Sequence, residues 1–385
     1  MKKTTCIASL MVCLSMGQAG ALAQNIRIDM NKTYPEKTIS LQKVADVKYI
    51  PLETTDEVLF NGVVTHLSAE GIAGFNKKEG DILVFDGTGK AIASFNHTGQ
   101  GPNEYNKIYH LDVDWKQKEV YVQDNFRQKI RIYALNGSHL RTIDLQETMQ
   151  QGDLYNFSDT HLIYYAQPKS KPVTPYEPVT LLSKKDASKA TLPFTKTDDN
   201  LVKATGGPFG DMKMSAKNVN LLCKKGDEVY VNEVTADVIY RVESNHALTP
   251  VVKRTPSYQD ASGQDFFLML TGANARYYFF KRQQALLEFQ GNAATDTKST
   301  YVAYDRKEKQ LLNPTFTNED YPSQDIPMSK LLQCAGSANR CYLQLEAFKL
   351  KEALAEGKLK GTLKSIAEKL DEEDNPVLMV VEFKK

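Results

Sequence analysis

The chain has 385 residues, with 48 Lys+Arg against 47 Asp+Glu, 41% hydrophobic and 9% aromatic residues. The even charge balance argues against a nucleic-acid protein, whose affinity rests mainly on a basic excess that neutralises phosphates. The hydrophobic fraction excludes disorder as the main state, and the length allows two or three domains or one large β architecture.

The chain opens like an export signal. Lys2 and Lys3 form a positive start, Ile7 to Met16 a short apolar run, and Ala21-Leu22-Ala23 an A-x-A cleavage site before Gln24. Residues 1–23 are therefore expected to be removed, and 24–385 to form the mature chain, in the periplasm or at the cell surface. Cys13 raises a lipoprotein alternative, but a lipidated Cys wants a small residue before it, and Val12 stands there. Loss of the signal takes away two lysines and moves the net charge from +1 to −1. No later stretch has 18 consecutive apolar residues, so no other membrane span is expected.

Beyond the signal, one unit recurs: a β-rich run, a polar turn, a second run, a Gly or Asn turn, and a third run. Its clearest copy is Lys118–Asp124, Lys129–Tyr133, the turn Asn136-Gly137, and His139–Ile143. Apolar side chains alternate along these runs, and Asn-Gly supplies the positive φ angles of a tight hairpin. Other copies contain Gly71–Phe75 with Asp81–Phe85 and Ala91–Phe95, Leu162–Tyr165 with Val179–Leu182, and Asp227–Asn232 with Asp237–Val242. Two more pair Ala285–Phe289 with Tyr301–Tyr304, and Tyr342–Leu345 with Val377–Val381. The third strands centre on Leu83, Arg131, Thr180, Ile239, Val302 and Met379, with steps of 48, 49, 59, 63 and 77 residues. Propeller blades repeat about every 40–50 residues, so the longer steps need insertions. Pro168–Pro178 reads as a loop, and Ala347–Leu370 as two short helices broken at Gly357 and Gly361.

Six copies predict an all-β fold, a six-bladed β-propeller whose blades bury their apolar faces against one another. The unmatched strand Val47–Leu52 is expected to dock beside Val377–Phe383 and close the ring. Two separate β domains are the alternative, against which the lack of a Pro/Gly/Ser linker weighs.

The segment Tyr49-Ile50-Pro51-Leu52-Glu53, the loop Gly99-Gln100-Gly101-Pro102-Asn103-Glu104-Tyr105 and the closing Asn375-Pro376-Val377-Leu378 resemble the six-bladed β-propeller proteins exported by Bacteroidetes, which carry NHL-like repeats. The resemblance covers nearly all of the mature chain, and the G-x-G-P-x-E-Y loop is its most specific element. It implies the fold and an exported location, and no activity.

The same loop is the strongest site candidate. Its glycines and proline fix a tight turn, and Gln100, Asn103, Glu104 and Tyr105 are the expected ligand-binding side chains, unless the loop serves to orient the first two blades. The histidines His66, His97, His110, His139, His161 and His246 are scattered, yet in a ring distant positions can converge on the axis. Asp112, Asp114, Asp124 and Asp237 end strands, where they either line the axis or cap backbone groups. In the run Arg276–Phe280, Tyr277 and Phe279 share one face and Tyr278 and Phe280 the other, which suits interblade core or a sugar platform. The Lys- and Glu-rich stretch near Leu350–Leu370 reads as a solvated helix surface rather than a membrane contact.

Cys223, Cys334 and Cys341 remain in the mature chain. Cys334 and Cys341 are spaced for a small disulfide loop, or stay as thiols, while Cys223 follows an apolar run and reads as buried. There is no Cys-x-x-Cys, His-x3-His, G-x-S-x-G, H-E-x-x-H or Walker pattern. The expectation is an exported, non-enzymatic binding module for a glycan, peptide or envelope partner, with no metal or other cofactor. The alternative is a hydrolase or lyase at the central channel, with or without a divalent ion.

Overall fold

A small twisted β-sheet has two apolar faces, and both need cover. In the computed structural model, six such sheets meet that need by standing side by side around one axis. The structure describes residues 26–124, 126–145, 154–165, 177–195, 201–205, 212–215, 222–226, 228–260, 266–290, 293–294, 298–328, 331 and 340–385.

From the axis outward, blade one is Val63–Leu67, Gly71–Phe75, Ile82–Asp86 and Ala91–Phe95. Blade two is His110–Asp114, Glu119–Asp124, Lys129–Ala134 and His139–Asp144. Blade three is Leu154–Asn156, His161–Tyr165, Val179–Ser183 and Lys189–Thr191. Blade four is Leu222–Lys225, Glu228–Val231, Val238–Val242 and Leu248–Thr255. Blade five is Phe266–Ala273, Tyr277–Gln284, Ser299–Asp305 and Gln310–Thr317. The described strands of blade six are Arg340–Leu345, Val377–Phe383 and Ala45–Pro51. The expected third strands of blades one to five occupy that position, and Val377–Phe383 is the central one of the three described strands of blade six.

Middle strands are covered on both faces, so Glu119–Asp124 is buried at every position. Outer strands are covered on one face only, and Ala91–Phe95 alternates between half-buried and exposed. A separate apolar cluster fills each junction. Phe75, Val84, Leu111 and Tyr133 lie between blades one and two, and Leu83, Phe85, Tyr342 and Leu378 between blades six and one.

The aromatic run divides as its alternation demands. Tyr277 and Phe279 enter the cluster between blades five and six, Tyr278 and Phe280 the one between four and five. All four are buried, so none offers a face to a sugar. The run is itself the second strand of blade five, paired with Ser299–Asp305. The sequence pattern assigns that place to Ala285–Phe289. Instead, Leu286–Gln290 leaves the ring and pairs in parallel with Leu201–Thr205. Apolar runs of similar length compete for a strand position, and alternation alone does not name the partner.

The ring closes at the expected clasp. Ala45–Pro51 pairs antiparallel with Val377–Phe383, from Ala45 opposite Phe383 to Pro51 opposite Val377. A buried amide reinforces it. Asn375 Nδ2 donates to the carbonyls of Glu53 (2.7 Å) and Val58 (2.8 Å), and its Oδ1 accepts from the Phe60 amide (2.7 Å). Upstream, two strands add in parallel to outer edges: Ile26–Asp29 to blade four and Glu36–Ser40 to blade five. Neither stands out in the sequence, since the first is only four residues long and the second is mostly polar.

The predicted helices are Ala347–Ala355 and Gly361–Ala367. Gly357 lies just past the first at φ +70°, where a glycine ends a helix without strain. No described helix is long and apolar enough to cross a membrane. Cys223 and Cys341 are buried in interblade clusters. The proposed signal, residues 168–176 of the expected loop and Cys334 lie outside the described residues, and with Cys334 the proposed disulfide.

Candidate functional site

Inner strands carry their side chains to the axis, and the most connected charged group there is Asp112. Its Oδ1 lies 3.0 Å from His66 Nδ1 on the inner strand of blade one. Its Oδ2 accepts from Lys224 Nζ (2.8 Å) on blade four and from the backbone amide of Asn156 (2.7 Å) on blade three. One carboxylate thus joins four neighbouring blades. A register shift at Thr65, with Val64 opposite Gly74 and His66 opposite Ala73, interrupts the alternation just where His66 turns to Asp112.

Burial by itself would raise the Asp112 carboxyl. The Lys224 ammonium and the His66 hydrogen bond outweigh it and hold the group far below the usual carboxylate range. An ionised Asp112 only accepts, so His66 Nδ1 carries the shared proton and Nε2 is left for other contacts. Asp114, two residues on, accepts from Lys184 Nζ (2.7 Å) and the Gln117 amide (3.0 Å), and these donors lower it despite desolvation.

Above this floor lies a cavity of about 430 Å³ lined by His66, Ser68, Glu70, Asp114, Trp115, Asn156, Asp159, Lys224 and Arg340, among others. It sits at the ends of the inner strands of blades one to three, over the turns that lead into their second strands. Glu70 stands at the exposed rim, lowered by its bond to Ser68. Asp159 contacts Lys116. Arg340 begins the strand Arg340–Leu345 of blade six, and its Nε donates to Glu382 (3.3 Å). Trp115, the chain's single tryptophan, packs against His66 with ring centroids 6.1 Å apart. It lies over Gly71, where a Cβ would fall 2.3 Å from Trp115 Cη2. The Trp115 indole N–H and Asn156 Oδ1 are buried without a hydrogen-bond partner among the described residues. Among the described residues, no three His, Cys, Asp or Glu side chains are grouped to hold a metal ion.

The G-x-G-P-x-E-Y loop lies elsewhere, at the opposite ends of the inner strands, between the outer strand of blade one and the inner strand of blade two. Tyr105 is wholly buried. Its hydroxyl donates to Gly80 O (2.8 Å) and accepts from the His97 amide (3.0 Å), and burial pushes its pKa up to about 12. Glu104 Oε2 accepts from the Gly101 amide (2.7 Å), and a Cβ on residue 99 would fall 2.0 Å from that oxygen. Arg127 donates to the carbonyls of Gly99, Gln100 and Gly101 and to Gln100 Oε1. Tyr133 donates to Asn103 O (2.7 Å). The side chains of Glu104 and Tyr105 are thus spent on holding the turn, while Gln100 and Asn103 reach the surface.

Of the histidines, His66 alone is among the residues that line the axial cavity. Asp112 and Asp114 reach this region. Asp124 binds Arg131 and the Asn106 amide, and Asp237 caps the Tyr258 amide. Sequence reasoning missed Lys224, Arg340 and Trp115. The available signal was a charged residue directly after the apolar pair Leu222-Cys223, and an H-L-D-V-D strand with two acids inside it.

Among solved structures, a Bacteroides fragilis protein named as a candidate exported protein is similar at 14% identity and a TM-score of 0.62, covering 94% of this chain and 99% of its own. A member of the DUF4221 family from Bacteroides vulgatus is similar at 10% identity and a TM-score of 0.51, covering 89% of this chain and 98% of its own. At such identities the likeness concerns the fold. No match is found among curated proteins. Over residues 25–382 the sequence matches a family described as a domain of unknown function, DUF4934, and the chain belongs to that family.

Proposed function

We propose that this chain is an exported propeller that binds a small polar ligand in its axial cavity without transforming it. The carrying observation is the saturation of Asp112, which fixes His66, Lys224 and the Asn156 amide in one network. A floor fixed before the ligand arrives loses little entropy on binding, and the cavity is in the size range of small-molecule sites. Glycan units and peptide ends both suit such a site. Export to the periplasm or cell surface, after removal of residues 1–23, rests on the signal-like start and on the name of the fragilis protein. The G-x-G-P-x-E-Y loop is assigned to blade geometry, with Gln100 and Asn103 left as its surface contacts.

Trp115 gives the test. Monosaccharides, oligosaccharides and dipeptides are titrated while its fluorescence is followed, and the same mixtures are checked for turnover. Saturable change without product supports the reading; product formation that disappears in Lys224→Met refutes it.

One observation favours a hydrolase or lyase as the second reading. His66 is oriented by a buried carboxylate, and its Nε2 has no hydrogen-bond partner among the described residues, the arrangement of a general base. That reading requires turnover of an ester, lactone or glycoside that His66→Asn abolishes. A screen in which His66→Asn and the wild type are equally inert removes it.

A further inference from the structure

The hydrogen-bond inventory of the cavity is lopsided. Asp112 is saturated by His66, Lys224 and the Asn156 amide, and both oxygens of Asp114 are engaged, by Lys184 and the Gln117 amide. Asp159 pairs with Lys116 through Oδ2 and is largely exposed, so the remaining carboxylate acceptor capacity lies at the rim, with Asp159 and with Glu70, which also feels the Arg340 charge. Donors remain. Lys224 Nζ has one protein partner and three hydrogens. Arg340 uses only Nε, leaving both terminal nitrogens without a partner among the described residues. The buried Trp115 N–H has none among them either. Against these stands one buried acceptor of the cavity with no partner among the described residues, Asn156 Oδ1.

Taking the axial cavity as a binding site, we infer that its ligand is a small hydroxylated carboxylate, with the carboxylate held between Lys224 and Arg340 and a hydroxyl donated to Asn156 Oδ1. Carboxylate is the matching acceptor because a guanidinium fork pairs with its two oxygens and an ammonium adds a third charged contact. Neutral ligands would leave those donors, and the Trp115 N–H, unpaired in a partly desolvated site. A sugar acid combines the two features at a size the cavity admits.

Galacturonate and galactose test this directly, since they differ only in whether C6 is a carboxylate or a hydroxymethyl group. Each is titrated into the full-length mature protein while Trp115 emission is recorded, at low and high salt. Galacturonate is expected to saturate the signal with a dissociation constant on the order of 1 mM or tighter, galactose to bind at least about tenfold more weakly, and salt to weaken only the acid. Lys224→Met and Arg340→Gln should each weaken galacturonate by about tenfold or more. Lys224→Met touches the Asp112 network, so its melting curve is compared with the wild type. Arg340→Gln lies outside that network and decides the matter if Lys224→Met misfolds. Equal binding of the two sugars overturns the carboxylate assignment and leaves the binding site standing. Undiminished galacturonate binding in a folded Arg340→Gln protein overturns the proposed donors. Silence toward galacturonate, with a response to an uncharged oligosaccharide or dipeptide, overturns this inference alone; silence toward the whole panel overturns the binding site as well.

Discussion

Replacing Asp112 by Ala should be among the costliest single changes at the axis. It leaves the Lys224 ammonium, whose side chain is 11% exposed, without its counter-charge, and orphans the Asn156 amide and His66 Nδ1. Removing one partner of a buried ion pair costs about 3–5 kcal/mol, which includes the orphaned donors. An unfolding entropy of about 2.1 cal/mol/K per residue over roughly 350 residues gives about 1.4 °C per kcal/mol, so the melting temperature should fall by about 4–7 °C. The effect is also tied to pH. The folded-state pKa of Asp112 is depressed, so its contribution is complete above the unfolded value near 4. Below that, the unfolded chain takes up a proton that the native state refuses, and stability declines toward the folded pKa. Asp114 is depressed in the same sense and adds to the acid limb. Calorimetry from about pH 2 to pH 7 should therefore show Asp112→Ala with a lower plateau and a shallower acid decline than the wild type. A drop below about 1.5 °C, or an unchanged acid slope, would refute the view that this carboxylate holds the four blades together.

Arg127→Ala should cost about 1–3 kcal/mol in urea unfolding by freeing three loop carbonyls, yet leave axial ligand titrations unchanged, and a loss of ligand binding would contradict the assignment of the loop to blade geometry. Gly71→Val places side-chain carbons where Trp115 lies, and should shift the emission maximum and weaken ligand binding; identical spectra would remove Trp115 from the cavity. Deleting residues 24–51 bares the edge of Val377–Phe383, and light scattering should show association, whereas a monomer that melts like the wild type would undo the closure argument.

The parts of this molecule visible in its sequence are those with strong apolar signals. Third strands such as Ile82–Asp86 and Val179–Ser183 are buried on both faces, so they read as dense Val/Ile/Leu runs. Inner strands read poorly because polar residues interrupt them: Thr65 and His66 in blade one, Asp112 and Asp114 in blade two, Lys224 and Lys225 in blade four. The cavity draws on positions 66, 114, 156, 224 and 340, which lie far apart in sequence and which the arrangement of blades around the axis brings together. A local motif, by contrast, was easy to see and turned inward. Glu104 and Tyr105 stand out in sequence because a tight turn needs those residues, and the turn consumes their polar atoms.

Ring closure and the cavity are mechanically linked. The floor belongs to blades one to four, tied through Asp112, and does not depend on the clasp. Arg340 belongs to blade six, which is held to the rest by the clasp strand and by Tyr342, whose hydroxyl donates to Val64 O at 2.5 Å, two residues before His66. A ligand that touches both Lys224 and Arg340 would therefore link the floor to blade six across the axis. It would stabilise the closed ring by RT ln(1 + [L]/Kd), about 2.7 kcal/mol at a hundredfold excess over Kd. An adventitious ligand on the floor alone would stabilise the protein without favouring closure. Slowed proteolysis of the clasp in the presence of ligand, beyond the general rise in stability, separates the two cases.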